Sequence, residues 1–449
     1  MATLDSSIVN IALPTLTKEL SPDLHQIKWI VIIYLLMITC LLLPFGRLSD
    51  QQGRKPVFQT GFLIFIFGSA LCGMAPSLST LVAFRAIQAV GAAMLMANGP
   101  AIITSAFSTK ERGKALGTLA MVVSLGLVSG PMLGGIVITY LGWRTIFWLN
   151  IPIGIFGIFL AQRFLKADHP ARSNQRFDWK GAFFQTLILI LLIVFFEPPR
   201  IAISNFLPFV LPRWVIGTAI IGLTLIFLKI ESGVRDPLFD LSLLKNRTFW
   251  AANLAGFLTF VAFSSVTVLM PFFLEEVLHF STHRAGVFMA AIPLTIFVVA
   301  PVSGRLSDRL GTKELSVLGS MIGMLALFAM SGVFGRGIYE GTGHGTIVFS
   351  LCVIGLAIGL FQSPNNNAIM GAVPVQKLGV ASALLATVRN LGLVTGTGLS
   401  ASLLSWGVAL KQEFISAFHL ALFVAGLICG GALVASLSRK SALGERGEG

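Results

Sequence analysis

Long apolar runs separated by short polar segments pattern the whole chain. A helix that crosses a bilayer needs about 20 mainly apolar residues. Runs near that length occur at 1–16, 28–46, 56–75, 80–104, 115–138, 144–165, 181–197, 214–230, 248–273, 285–303, 315–334, 346–369, 379–404 and 415–437. The pattern therefore predicts an all-α membrane protein with fourteen spans, the seventh and eighth being short. Pro44, Pro131, Pro152 and Pro271 fall inside or at the ends of runs, which membrane helices tolerate when neighbours satisfy the freed carbonyls.

Composition narrows the class. Of 449 residues, 55% are hydrophobic and 11% charged, and mean hydropathy is +0.86. A soluble domain carries about 25% charged residues, so this chain cannot cover a water-facing surface. A soluble enzyme, a disordered chain, a coiled coil and a disulfide scaffold are all excluded. The net charge of +13 reads as Lys and Arg held in cytoplasmic loops rather than as a nucleic-acid surface. Cys40, Cys72, Cys352 and Cys429 lie in apolar runs and read as small hydrophobes, not metal ligands. No phosphate loop and no hydrolase or zinc motif is present, so the expectation is neither an enzyme nor a cofactor protein.

With the N-terminus placed inside, the inner loops and tail hold 22 Lys and Arg and the outer segments hold 8. That excess predicts cytoplasmic N- and C-termini. All seven tryptophans fall near span ends, as an aromatic belt requires. Glu197, Glu231, Glu275, Glu276, His279 and His283, also near span ends, read as solvated caps.

Two charges stand inside spans. Asp5 lies about 12 residues, or about 18 Å, from the outer end of the first run, near the middle of a core about 30 Å thick. Burial disfavours the charged form of any carboxylate, which suits a group that alternately takes up and releases a proton. Only four residues precede Asp5, so the first span reads as cut short on its inner side. Arg85 stands in the fourth run and needs a partner there. Asp5 is the candidate partner, with Gln88 beside them. Structural pairing of helices is the competing reading for both residues. Asn10, Gln88, Asn98, Gln362 and Arg389 are the polar positions expected to line a substrate cavity.

Gly46-Arg47-Leu48-Ser49-Asp50-Gln51-Gln52-Gly53-Arg54-Lys55 follows the second run, and Gly304-Arg305-Leu306-Ser307-Asp308-Arg309-Leu310-Gly311-Thr312-Lys313 follows the tenth, matching at seven of ten positions. The chain thus reads as two six-helix halves, 1–166 and 247–437, with an inserted helix pair and linkers at 167–246 and a cytoplasmic tail at 438–449. Gly46, Gly53, Gly304 and Gly311 suit tight turns. Asp50 and its counterpart Asp308 can face a helix N-terminus, while Arg54 and Lys55 hold the loop inside.

These residues resemble known motifs. The 46–55 segment resembles the first signature loop of the major facilitator superfamily. Leu4 to Pro14 resembles the helix-1 motif of its fourteen-spanner drug:proton antiporter branch, and Arg85 to Ala93 the helix-4 motif, with Ala89 where glycine is usual. Gly126 to Gly135, with Gly126, Gly130, Pro131, Gly134 and Gly135, resembles the helix-5 antiporter motif. Trp143-Arg144 through Asn150-Ile151-Pro152-Ile153-Gly154 resembles the start of helix 6.

The resemblance implies a major facilitator fold and proton-driven export of small hydrophobic or cationic compounds by alternating access. Asp5 and Arg85 would couple protons, and the glycine stripe would seal the contact between halves. Expected partners are a small-molecule substrate, protons and the lipid bilayer of a bacterial inner membrane, with a monomer as the expected state and no nucleic acid. A dedicated metabolite exporter or importer on the same fold is the alternative, followed by a non-transporting membrane sensor.

Overall fold

The computed structural model describes residues 1–20, 27, 29–165, 177–196, 212–234, 237, 238, 240–333, 343–409 and 414–439. Of the expected linkers around the inserted pair, residues 166–176 and 197–211 lie outside the described residues, as does the tail beyond residue 439. The described residues hold helices and no strand. In chain order the α-helices are α1 (Ala2–Leu20), α2 (Trp29–Gln52), α3 (Arg54–Gly73), α4 (Leu78–Ala106), α5 (Arg112–Leu141), α6 (Arg144–Trp148) and α7 (Asn150–Phe164). They continue as α8 (Trp179–Phe196), α9 (Arg213–Gly233), α10 (Arg247–Phe272), α11 (Thr282–Met289), α12 (Ala291–Leu310), α13 (Thr312–Met330), α14 (His344–Gly371), α15 (Leu378–Ala409) and α16 (Phe414–Leu437).

Among the described residues, twelve helices are long and apolar enough to cross a membrane. The structure therefore supports twelve spans by this measure, against the fourteen read from the apolar runs. The two that fall short are the first and seventh runs. α1 is a helix of 19 residues, but Asp5, Lys18 and Glu19 put three charges on it. α8 keeps only the stretch Trp179–Leu192 as a shorter apolar helix.

Helix ends follow local chemistry. Trp29, Trp143, Trp148, Trp179, Trp214 and Trp250 all sit within four residues of a helix end. Asn246 caps α10 by accepting from the amides of Thr248 and Phe249 at 3.0 and 3.3 Å. Such a cap is worth about 1 kcal/mol. Asp178 does the same for α8, accepting from Gly181 at 2.9 Å. Glu231, expected as a solvated cap, is instead 3% exposed. Its carboxylate sits beside Gly181, so that a Cβ there would lie 2.5 Å from its Oε1 and 2.6 Å from Asp178 Oδ2.

The chain divides into two compact units. The first comprises Met1–Ile102, Gly126–Leu241 and Pro374–Thr387; the second comprises Ile103–Leu125, Ser242–Val373 and Val388–Gly449. The inserted helices α8 and α9 go with the first unit, and each unit includes the N-terminal turns of one helix from the other half of the sequence. The first unit is cored by Ile8, Val9, Ala12, Leu16, Cys72, Trp143 and Phe147. The second is cored by Val266, Leu269, Met270, Ile354 and Phe418, with Phe273 stacked on Phe418 at 4.9 Å. Large apolar side chains such as Phe67, Phe156, Phe159, Leu225 and Val298 remain exposed, as lipid-facing positions must.

Candidate functional site

The first site lies inside the first unit, where α1, α3, α4 and α7 bring polar side chains to one point. Asp5 is 3% exposed, and Arg85 and Gln88 are fully buried. One guanidinium nitrogen of Arg85, Nη1, donates to Asp5 Oδ2 at 2.5 Å and to Gln88 Oε1 at 2.6 Å. The other carboxylate oxygen, Oδ1, accepts from Gln88 Nε2 at 3.0 Å and from Asn150 Nδ2 at 2.7 Å. Ser69 Oγ accepts from both amides at 3.0 Å and donates to the Phe147 carbonyl at 3.0 Å.

Arg85 is held further by the Ile30 carbonyl, which accepts from its Nε at 3.3 Å, and by the Tyr34 ring, 3.9 Å from its Cζ. Tyr34 in turn donates to the Ala2 carbonyl at 3.3 Å, tying α2 to α1. A charge buried in a bilayer needs a partner of this kind. The arrangement is a neutralised pair in which both carboxylate oxygens are engaged. Adding one proton at Asp5 would change the charge of the whole cluster by one. Asn150, Ser69 and Tyr34 did not stand out as site residues in the sequence; only the Asn150-Ile151-Pro152 motif offered a signal for one of them.

The second arrangement is repeated once in each unit. In the first unit, Asp50 Oδ1 accepts from the Gly379 amide at 2.8 Å and Oδ2 from Val380 at 2.9 Å. In the second unit, Asp308 Oδ1 accepts from the Gly113 amide at 2.8 Å and Oδ2 from Lys114 at 2.9 Å. In both cases a carboxylate lies across the second and third residues of a helix, α15 and α5, where unpaired amides and the helix dipole favour an anion.

Glycine permits this approach. A Cβ on Gly46 would lie 2.5 Å from the Gly379 carbonyl oxygen, and one on Gly113 would lie 2.5 Å from the Gly304 carbonyl oxygen. Gly53 and Gly311, at matching positions of the repeat, have φ of 97° and 107°, a region that other L-residues rarely adopt. Arg54 Nη2 donates to the Val375 carbonyl at 2.5 Å and reaches Asp50 at 3.4 Å. Lys55 Nζ donates to the carbonyls of Gln162 and Leu165 at the end of α7, at 3.1 and 2.6 Å.

The other expected site residues are scattered. Gly130 and Gly134 meet Ser7 and Ile8 of α1, so the glycine stripe packs within the first unit. Gly126 has Leu4 as its nearest neighbour, a Cβ there lying 3.6 Å from the Leu4 amide nitrogen, and Gly135 faces open space. The side chain of Pro131 is outside the described residues. Asn10 is exposed, and Asn98 is buried with its amide donating to the Met94 carbonyl at 2.7 Å. Gln88 is consumed by the Asp5 cluster rather than open to a cavity. Gln362 and Arg389 are half-buried in the second unit.

Arg439 was not anticipated. It is 2% exposed beyond the end of α16, held by neutral oxygens of Asn365, Ser316 and Ser436. Burial pulls its guanidinium down to about 9. Among the described residues no cluster of His, Cys, Asp or Glu can hold a metal ion.

A chain of apolar helices with an internal repeat and a buried charge pair defines a class of membrane transporter, and comparison with known proteins agrees. The model for the Major Facilitator Superfamily matches residues 1–397, and the chain belongs to that family. It is 37% identical over 424 residues to the riboflavin transporter RibZ of Clostridioides difficile (strain 630), covering 93% of this chain and 88% of the relative. It is 28% identical over 407 residues to the multidrug resistance protein Stp of Mycobacterium tuberculosis (strain ATCC 25618 / H37Rv), covering 90% of this chain and 74% of the relative. Among solved structures it resembles the human organic anion transporter MFSD10 (TETRAN), with TM-score 0.66 and 16% identity over 95% of this chain and 96% of that one. The protein is a multi-pass membrane transporter of small molecules.

Proposed function

We propose that the protein is a proton-coupled secondary transporter that exports small, largely apolar compounds by rocking of its two halves. The observation that carries the reading is the Asp5–Arg85 cluster: one acid, buried among apolar helices, neutralised by a permanent cation and hydrogen-bonded by two uncharged side chains. Protonation of Asp5 would release its hold on Arg85 and, through Ile30 and Tyr34, on α2 and α1. Proton entry would then favour one arrangement of the bundle over another, as alternating access requires.

The Lys and Arg distribution supports cytoplasmic termini and an inner-membrane location. The helices α1 and α8 would bring the twelve spans to fourteen, as in the drug:proton antiporter branch. A reporter fused within residues 167–176 is expected on the cytoplasmic side; a periplasmic signal would overturn that topology. The protein is expected to act as a monomer, since substrate and protons would share one chain.

A second reading has a specific observation behind it. The relative at 37% identity is a riboflavin transporter, so a single dedicated metabolite is as well supported as a range of drugs. The two readings separate in proteoliposomes holding the full chain under an imposed pH gradient. Lumenal pH is followed while riboflavin or a panel of aromatic drugs is added, for wild type and Asp5→Asn. Proton movement provoked by several unrelated compounds and lost in Asp5→Asn supports drug export. Movement with riboflavin alone supports the metabolite reading, and movement that survives Asp5→Asn removes Asp5 from coupling.

A further inference from the structure

The cations and acids of the spanning helices do not balance in the second unit. Arg389 lies 11 residues into α15, about 17 Å along the helix from its start and so near the middle of a bilayer core. Its side chain is half-buried. Among the described residues no hydrogen bond or ion pair reaches it, and no carboxylate lies close enough to act on its charge. Its neighbours on α15 are the apolar or small Leu385, Ala386, Val388, Leu391 and Gly392 and the polar Thr387 and Asn390. One turn further on, Gly392 packs on Phe257 and Phe260 of α10, so the backbone around Arg389 is fixed by an apolar contact rather than by its charge.

Elsewhere the pattern is the reverse. Asp5 is the one acid at mid-span depth among the described residues, and both of its oxygens are engaged by Arg85, Gln88 and Asn150. Arg85 is paired. Arg439 is buried in a cage of neutral oxygens at a helix end. Among the described residues, Arg389 is the mid-span guanidinium left partly exposed with no carboxylate beside it. An arginine does not lose its proton at any physiological pH, and an unpaired charge at that depth is expensive. No described residue supplies its counter-charge, and an anionic molecule brought to it would.

We propose that Arg389 is the anchor for an acidic group on the cargo, so that the transported compounds are aromatic or otherwise apolar organic anions rather than cations. The planar guanidinium matches a carboxylate or sulfonate with two parallel hydrogen bonds. This rests on the transport reading above and specifies the cargo for it. A cationic cargo would meet repulsion at Arg389 and would find the Asp5 carboxylate already occupied.

The test uses two dyes that share one ring system and differ in charge, fluorescein (anion) and rhodamine 123 (cation). Their binding to the purified full chain in detergent is followed by fluorescence anisotropy, and their efflux in proteoliposomes under a pH gradient. Wild type is expected to bind fluorescein at least about tenfold more tightly than rhodamine 123. Arg389→Gln is expected to abolish that preference without weakening rhodamine 123, and Arg389→Lys to keep part of it. Wild type binding rhodamine 123 as well as fluorescein overturns the proposal without need of any variant. So does an Arg389→Gln protein, monodisperse on gel filtration, that keeps its fluorescein affinity. Gradient-driven efflux that ignores Arg389→Gln removes the anion anchor and leaves the transport reading. Arg389-dependent binding with efflux indifferent to the gradient keeps the anchor and removes proton coupling.

Discussion

At the scale of single residues, the Asp5–Arg85 pair obeys the thermodynamics of buried charge. Breaking a buried pair by deleting one partner costs about 3–5 kcal/mol, because the other charge is left uncompensated. Asp5→Asn is therefore expected to lower the thermal unfolding temperature in detergent markedly. Adding Arg85→Gln to Asp5→Asn should recover part of the loss, since no orphan charge then remains. A double variant less stable than Asp5→Asn alone would show that Arg85 is held by Ile30, Gln88 and Tyr34 independently of the carboxylate. Depth along the first and fourth apolar runs was enough to suggest that these two residues meet. It did not suggest Asn150, which is 145 residues from Asp5 and reaches it at 2.7 Å.

At the scale of elements, the two aspartate-capped helices are independent copies of one device. Each carboxylate spans two N-terminal amides, and capping of this kind is worth about 0.5–2 kcal/mol. Asp50→Ala and Asp308→Ala are each expected to destabilise by that amount in chemical unfolding. Because the caps lie in different units, their effects should add to within about 0.5 kcal/mol. A clear departure from additivity would mean that the two caps report on one shared equilibrium. The helix breaks just after these aspartates depend on Gly53 and Gly311. Alanine at either must adopt a positive φ, at about 1–2 kcal/mol, so Gly53→Ala and Gly311→Ala are expected to destabilise while Gly135→Ala, in open space, does not.

At the scale of the whole molecule, packing determines which parts of an apolar chain are accessible. Cys40, Cys72 and Cys429 are at most 2% exposed, whereas Cys352 is half-buried. A small maleimide is therefore expected to label native protein at Cys352 alone, and all four cysteines after denaturation. Rapid labelling of three or four in the native state would contradict the helix packing described. The buried Glu231 beside Asp178 belongs to this scale too. Near the end of an apolar run it looked like a solvated cap, and only the docking of α9 against the start of α8 buries it.

The helices themselves were legible because their determinants are local. Length of apolar run and tryptophan at the ends act within a few residues, and most predicted runs end within about five positions of a helix end; the exceptions are the runs ending at 46 and 303, whose helices continue through the repeated segment to Gln52 and Leu310. The internal repeat was legible for the same reason, being written in side chains. What tertiary structure decided was the company each polar group keeps. Gly379 and Gly113 receive the two aspartates through backbone amides, which leave no mark in a sequence. Asn150 and Ser69 are ordinary residues until packing brings them to Asp5. Whether an intramembrane charge is satisfied, as at Arg85, or left open, as at Arg389, depends on contacts between segments far apart in the chain, and apolar periodicity carries no information about them.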